Sequence, residues 1–270
     1  MATIALTDAL RRDYESLFNS CVISAARAAE VDGLVRTLVR NQPRYEAASA
    51  ISGVPWHFIA VIHNMECGQR FDCHLHNGDP LSARTTHVPA GRPRGSPPPF
   101  TWEDSAADAL AVKGLGAATD WSLAGLLYQA ERYNGFGYRS YHPQVPTPYL
   151  WSFSNHYVRG KYVADGTWSD TAVSRQCGVA VLLRRLAETG AIGFADQLAR
   201  TVSDGPLIVR YAARKPTDPA VTAQADALQR WLNTYAGVFV KLDGYPGKRT
   251  SAAFRAVTGH YLPGDPRSAA

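Results

Sequence analysis

The chain has 270 residues, of which 46% are hydrophobic and 19% charged, an ordinary globular composition with room for one large domain or a medium domain and a small module. Its net charge of +5 favours an anionic partner, but the basic residues are scattered and no nucleic-acid-binding signature occurs, so nucleic acid is set aside. No run of about 18 apolar residues exists, which excludes a helix spanning a membrane.

The N-terminal stretch lacks a basic segment followed by an apolar one, so no secretory signal is expected. Four cysteines, Cys21, Cys67, Cys73 and Cys177, are too few for a disulfide scaffold. A Cys67–Cys73 bridge is conceivable, but reduced buried thiols are the expectation.

Residues 5–40 place apolar side chains at helical spacing, which predicts one or two amphipathic helices broken near Asp32–Gly33. A short helical piece over Tyr45–Ala50 follows. Ser52 is placed to cap the next helix, with Pro55 in its first turn. That helix, VPWHFIAVIHNMEC, ends near Glu66, and Gly68 is suited to stop it. Phe58, Ile62 and Glu66 fall on one stripe, and an acid on a buried stripe has its pKa raised, as a general acid at neutral pH requires. Taken by itself, such a Glu is better explained by a buried partner or by reach to solvent, and only its surroundings can reverse that.

The Asn77-Gly78 pair in FDCHLHNGDPL predicts a small irregular β-hairpin over residues 71–81. The Pro- and Gly-rich stretch 84–99 is loop. Thr101 caps a helix with Glu103 and Asp104 in its first turn, where acids suit the helix dipole. Asp120 or Ser122 starts another helix, which runs to Gly135. Residues 138–168 are dense in aromatics, among them Tyr149 and Trp151, while Pro143, Pro146 and Pro148 argue against a regular element there. Aromatic side chains with a polar tip suit the wall of a groove as well as core packing. Ser169 or Asp170 then caps a long helix over residues 171–189, closed by Gly190. Residues 191–221 read as helical pieces, and a last unit carries Leu228, Trp231 and Leu232, an Asp243-Gly244 turn and a short helix from Thr250.

Asp79, across the predicted turn from Glu66, is a candidate second carboxylate. Glycosidic bond hydrolysis uses one protonated and one ionised carboxyl group, and an apolar helix beside a polar turn supplies that asymmetry. Asp79 before Pro80 is equally ordinary turn chemistry. Thr85 and Thr86 carry hydroxyls suited to holding a water or to capping loop amides. His63, His74, His76 and His87 with Cys67 and Cys73 match no zinc-ligand spacing, so neither a metal nor any other cofactor is expected.

The blocks HNMECGQRFDCHLHNGDPLSARTTHVPAGRP, PFTWEDSAADAL, ERYNGFGYR, PYLWSFSNHYVRGKYVADG and TAVSRQCG together resemble the catalytic domain of phage-type endolysins of the lysozyme superfamily. The resemblance spans about residues 45–188. It implies a mainly α, lysozyme-like α+β fold in which Glu66, at a helix end beside a small β-hairpin, is the catalytic acid. Tyr133-Asn134-Gly135 is similar to the substrate-cleft motif of lytic transglycosylases, so Tyr133 and Asn134 join His76, Tyr149, Trp151 and Asn155 as candidate substrate-binding residues. Asp243-Gly244-x-x-Gly247-x-x-Thr250 resembles a helical peptidoglycan-binding unit. The expected organisation is a catalytic domain over 1–190 and a binding-like module over 191–270. The implied protein is a monomeric muramidase acting on peptidoglycan, made in a host cytoplasm and released to the wall, with no stable membrane insertion. A one-acid lytic transglycosylase and a non-catalytic wall-binding protein are the alternatives.

Overall fold

The computed structural model describes residues 4–194 and 209–269. The chain is mainly helical, with one small two-stranded antiparallel sheet among the described residues. It divides into two compact units, Met1–Tyr14 with Cys21–Leu183, and Glu15–Ser20 with Arg184–Ala270. No helix among the described residues is long and apolar enough to cross a membrane.

Helices α1 (Asp8–Asn19) and α2 (Ala28–Arg40) are separated at residues 20–27, not at Asp32–Gly33 as expected. Helix α2 runs through Gly33 because Val31, Val35 and Leu38 form one buried stripe. A single interior glycine costs only about 1 kcal/mol. Helix α3 (Gln42–Ser52) is longer than predicted and packs on both α4 (Trp56–Cys67) and α5 (Trp102–Val112).

Helix α4 is the centre of the first unit. Phe58, Ile59, Ala60, Val61 and Ile62 are all fully buried, so the helix is enclosed on every side and not along one stripe. Pro55 occupies its N-cap position, and Ser52 instead accepts a hydrogen bond from the Val54 amide (3.2 Å). Gly68 ends the helix as expected, in the left-handed conformation (φ 57°) that a side chain resists.

Over residues 71–81 the predicted hairpin is reduced to one isolated bridge, Cys73 with Pro80. The Asn77–Gly78 turn is present, with Gly78 at φ 82° and its amide donating to the His74 carbonyl (2.9 Å). The His74 amide donates across the turn to the Asp79 carbonyl (2.7 Å), but Pro80, opposite Cys73, has no amide to donate, so the flanks do not extend into strands.

The sheet lies instead in the stretch expected to be irregular. After α6 (Leu123–Asn134), α7 (Gly137–Tyr141) and α8 (Pro148–Trp151), strands β1 (Lys161–Ala164) and β2 (Thr167–Ser169) form a hairpin. Lys161 pairs with Ser169, Tyr162 with Trp168, and Ala164 with Thr167, leaving Asp165–Gly166 as a two-residue turn with an irregularity at Val163. The prolines that argued against structure here are absorbed, since Pro148 sits in the first turn of α8, where its missing amide is not needed.

Helix α9 (Val179–Thr189) begins eight residues later than predicted. Gly178 explains the delay. Its amide donates to the Ser152 carbonyl (3.0 Å), and a Cβ at this position would lie 2.2 Å from the Leu150 carbonyl oxygen. That close backbone approach holds residues 171–178 out of the helix.

In the second unit, α10 (Pro219–Leu232) and α11 (Lys248–Thr258) enclose a core of Leu228, Leu232, Val238, Val240, Phe254, Val257 and Leu262. Of the helical pieces expected over 191–221, residues 195–208 lie outside the described residues, and 209–218 carry no helix. Gln229 is buried at the centre of the Asp243–Thr250 turn. Its amide nitrogen donates to Asp243 Oδ1 (2.8 Å), the Tyr245 carbonyl (3.1 Å) and Thr250 Oγ1 (3.1 Å). Its oxygen accepts from the amides of Asp243 (2.9 Å) and Gly244 (3.0 Å).

Candidate functional site

Enclosure of α4 has a consequence at its C-terminus. The helix is buried up to Asn64, Met65 is half-buried, and Glu66 is exposed where the last turn emerges. Glu66 Oε1 accepts a hydrogen bond from the Tyr149 hydroxyl (2.8 Å), which arrives from α8. The Met65 carbonyl, one of the helix-end acceptors without an intrahelical donor, is met by Gln176 Nε2 (2.7 Å). Two long-range contacts therefore hold the turn that carries the acid.

The electrostatics of Glu66 follow from this placement. Desolvation by the surrounding side chains raises its pKa above the ordinary carboxylate value, while the Tyr149 hydrogen bond and the Lys113 ammonium oppose the rise. The negative end of the α4 dipole acts in the same direction as desolvation. The carboxyl nevertheless keeps an open side, so it is both shifted and reachable. Tyr133 is close enough to feel the Glu66 charge, and burial followed by that charge pushes its hydroxyl pKa up. The Lys113 ammonium lies 4.6 Å from the centre of the Tyr133 ring.

Beside this cluster is a cavity of about 470 Å³. Met65, Asn134 and Tyr149 line it, together with Tyr138, Tyr141 and the β1–β2 residues Lys161, Tyr162 and Asp165. Of the residues expected at a binding cleft, the structure thus brings Tyr149 and Asn134 to the cavity and Tyr133 to the acid.

The other expected site residues serve other contacts. Both oxygens of Asp79 are engaged by its own loop. Oδ2 accepts from the amides of Thr86 (2.7 Å) and His87 (3.0 Å) and from the Thr86 hydroxyl (3.3 Å), and Oδ1 meets His87 Nδ1 (2.6 Å). The His87 amide, and then its ring, hold the Asp79 carboxyl well below the usual range. Asp79 is covered by the loop it ties together and not by the core. The Thr85 hydroxyl donates to the Pro89 carbonyl (2.5 Å) and accepts from the Arg92 amide (3.0 Å), so it too is used within the loop.

His76 is covered and meets Asp108 through Nε2 (2.8 Å). Trp151 is only 1% exposed and packs in the core, and Asn155 pairs with Val22, accepting from its amide (2.8 Å). His63 is likewise occupied by the Tyr45 hydroxyl (3.2 Å) and the Arg70 carbonyl (2.7 Å). Among the described residues no group of three or more His, Cys, Asp or Glu side chains is arranged to hold a metal ion. All four cysteines are buried, and none is in a disulfide.

Lys113, Gln176, Lys161 and Asp165 are residues of this site that pattern reading did not single out. The hairpin had a signal: Asp165-Gly166 flanked by Tyr162-Val163 and Thr167-Trp168 is a β-turn pair between strand-forming residues. The surrounding prolines masked it. No protein-family model, curated protein or solved structure matches the chain.

Proposed function

We propose that the protein is a phage-type muramidase with a lysozyme-like catalytic unit. It cleaves the glycan strand of peptidoglycan between N-acetylmuramic acid and N-acetylglucosamine. The observation that carries this reading is Glu66 itself: an accessible carboxyl at a helix end, shifted upward in pKa, clamped by Tyr149 and set beside a tyrosine-rich cavity. A protonated Glu66 donates its proton to the glycosidic oxygen as the bond breaks, and the aromatic faces of the cavity stack on sugar rings. The net charge of +5 favours association with an anionic wall. On this reading the protein works as a monomer, without a cofactor, on the wall after release from the cell that makes it.

A specific observation favours a second reading. Asp79 spends its acceptor positions on its own loop, which makes it a poor activator of water. A lytic transglycosylase needs one acid only and forms a 1,6-anhydro end by attack of the sugar's own hydroxyl. In the C-terminal unit, Asp243 and Thr250 are bound internally to Gln229, so the motif that resembles a wall-binding unit serves as its scaffold, and wall contact would fall to other residues.

The experiment is lysis of purified wall by the wild type and Glu66→Gln, with mass spectrometry of the fragments. Glu66→Gln is expected to lower the rate by about 10²–10⁴-fold, the usual contribution of a general acid, while leaving the fold intact. Near-wild-type lysis by that variant overturns the reading. A hydrated reducing end supports the hydrolase and an anhydro end the transglycosylase. Co-sedimentation with wall but no released fragments would point to a non-catalytic binding protein.

A further inference from the structure

The cavity beside Glu66 contains one cation and one carboxylate among its lining residues, Lys161 and Asp165, both on the β1–β2 hairpin. Among the described residues neither forms an ion pair, although all the other lining residues are uncharged. The hairpin that presents them is held firmly. Tyr162 packs edge-on against Tyr138 (5.4 Å between ring centres) and Trp168 (5.2 Å), and His142 stacks on Trp168 at 3.5 Å. The Tyr162 amide also donates to the Tyr138 hydroxyl (3.4 Å). Two opposite, uncommitted charges on a braced frame suit a ligand that brings both a carboxylate and an ammonium group. A bare amino-sugar polymer with acetylated nitrogens brings neither.

We infer that Lys161 is a specificity-determining residue of this cavity, binding a carboxylate on the peptide branch of a substituted glycan strand, with Asp165 receiving an ammonium group of the same branch. The inference rests on the glycan-cleaving reading of Glu66. It adds that the cavity selects strands carrying a zwitterionic peptide over uncharged strands. Selectivity arises because each charge, once solvent is displaced by the sugar rings, is left unpaired by the wrong substrate.

The test uses the full chain and two glycans, soluble strands bearing peptide branches and uncharged N-acetylglucosamine oligomers. Lys161→Met should lower kcat/KM on the peptide-bearing strands by about ten-fold, through KM, as loss of one charge-assisted contact predicts. On the oligomers it should instead raise kcat/KM, by about two-fold or more, because the unpaired ammonium that the sugar rings desolvate is gone. Lys161→Arg should restore most of the loss. Asp165→Asn should weaken cleavage of strands with free branch amines and quicken that of strands with acetylated amines, where the unpaired carboxylate is removed. Methyl-esterified strands offered to the wild type should reproduce the Lys161→Met loss, which decides the matter even where that variant folds poorly. Equal losses on both glycans, or esterification without effect, would overturn the assignment of Lys161 while leaving the role of Glu66 standing. Failure of the wild type to cleave either glycan, or undiminished cleavage by Glu66→Gln, would overturn both.

Discussion

Replacing Gln229 with leucine should destabilise the C-terminal unit by about 3 kcal/mol without opening a void, and the structure says where the cost arises. Leucine is close to glutamine in volume and Gln229 is only 1% exposed, so packing changes little. Three of the five lost partners keep a substitute: Thr250 Oγ1 still donates to the Tyr245 carbonyl (2.9 Å), and Asp243 Oδ1 still accepts from the Tyr245 amide (3.0 Å). The amides of Asp243 and Gly244 have none, because their acceptor was Gln229 Oε1. A buried donor left unsatisfied costs about 1–3 kcal/mol, and the Asp243 amide is partly covered, so the pair amounts to roughly 3 kcal/mol. Native-state hydrogen exchange of the buried α10 and α11 amides, compared with the wild type, measures the change. A loss below about 1 kcal/mol, less than one unsatisfied amide should cost, would refute the claim that Gln229 holds the turn and would free the Asp243–Thr250 motif for a binding role.

Other expectations concern the site and its frame. Tyr149→Phe removes a donor that favours ionised Glu66, so the carboxyl pKa rises further and the high-pH limb of the activity profile moves to higher pH. Lys113→Met should shift that limb in the same direction, and a shift to lower pH in either variant would contradict the assignment of Glu66 as the acid. The folded-state pKa of Asp79 is depressed, so its contribution to stability is present above the unfolded carboxyl value of about 3.9 and is lost as pH falls below it. Proteolysis within residues 79–93 should therefore quicken at acid pH in the wild type, and Asp79→Asn should show that faster cleavage at neutral pH. Gly178→Ala should destabilise the first unit by about 1–3 kcal/mol or more, because its Cβ meets the Leu150 carbonyl at 2.2 Å. A thermal melt unchanged from the wild type would mean that the backbone there yields.

Helix ends were the most legible part of this chain. Thr101 caps α5 by accepting from the Asp104 amide (3.1 Å), Ser122 caps α6 by accepting from the Gly125 amide (3.1 Å), and Gly68 and Gly190 follow the ends of α4 and α9 at positive φ. These are contacts between residues a few positions apart, so residue type weighs heavily in them, although Ser52 and Asp170 show that packing can move a helix start. That a carboxylate stands at the end of α4 was legible for a similar reason, since an apolar helix with one acid at its end is a local pattern. Sheet formation was not local in this sense. Asn77–Gly78 and Asp165–Gly166 carry equivalent turn signals, yet only the second opens into a ladder, because Pro80, opposite Cys73 beside the first, has no amide to donate.

For Glu66 the division is the same. The sequence determined that a carboxyl stands where α4 ends, since Gly68 stops the helix whatever surrounds it. Tertiary structure decided what that carboxyl is. Tyr149 and Gln176, 83 and 111 residues from their partners, clamp the last turn. Asp79, thirteen positions away, has its oxygens turned to Thr86 and His87. Spacing along a chain ranks neighbours in sequence, whereas a shifted carboxyl pKa depends on which groups exclude water from it, and packing alone assigns those.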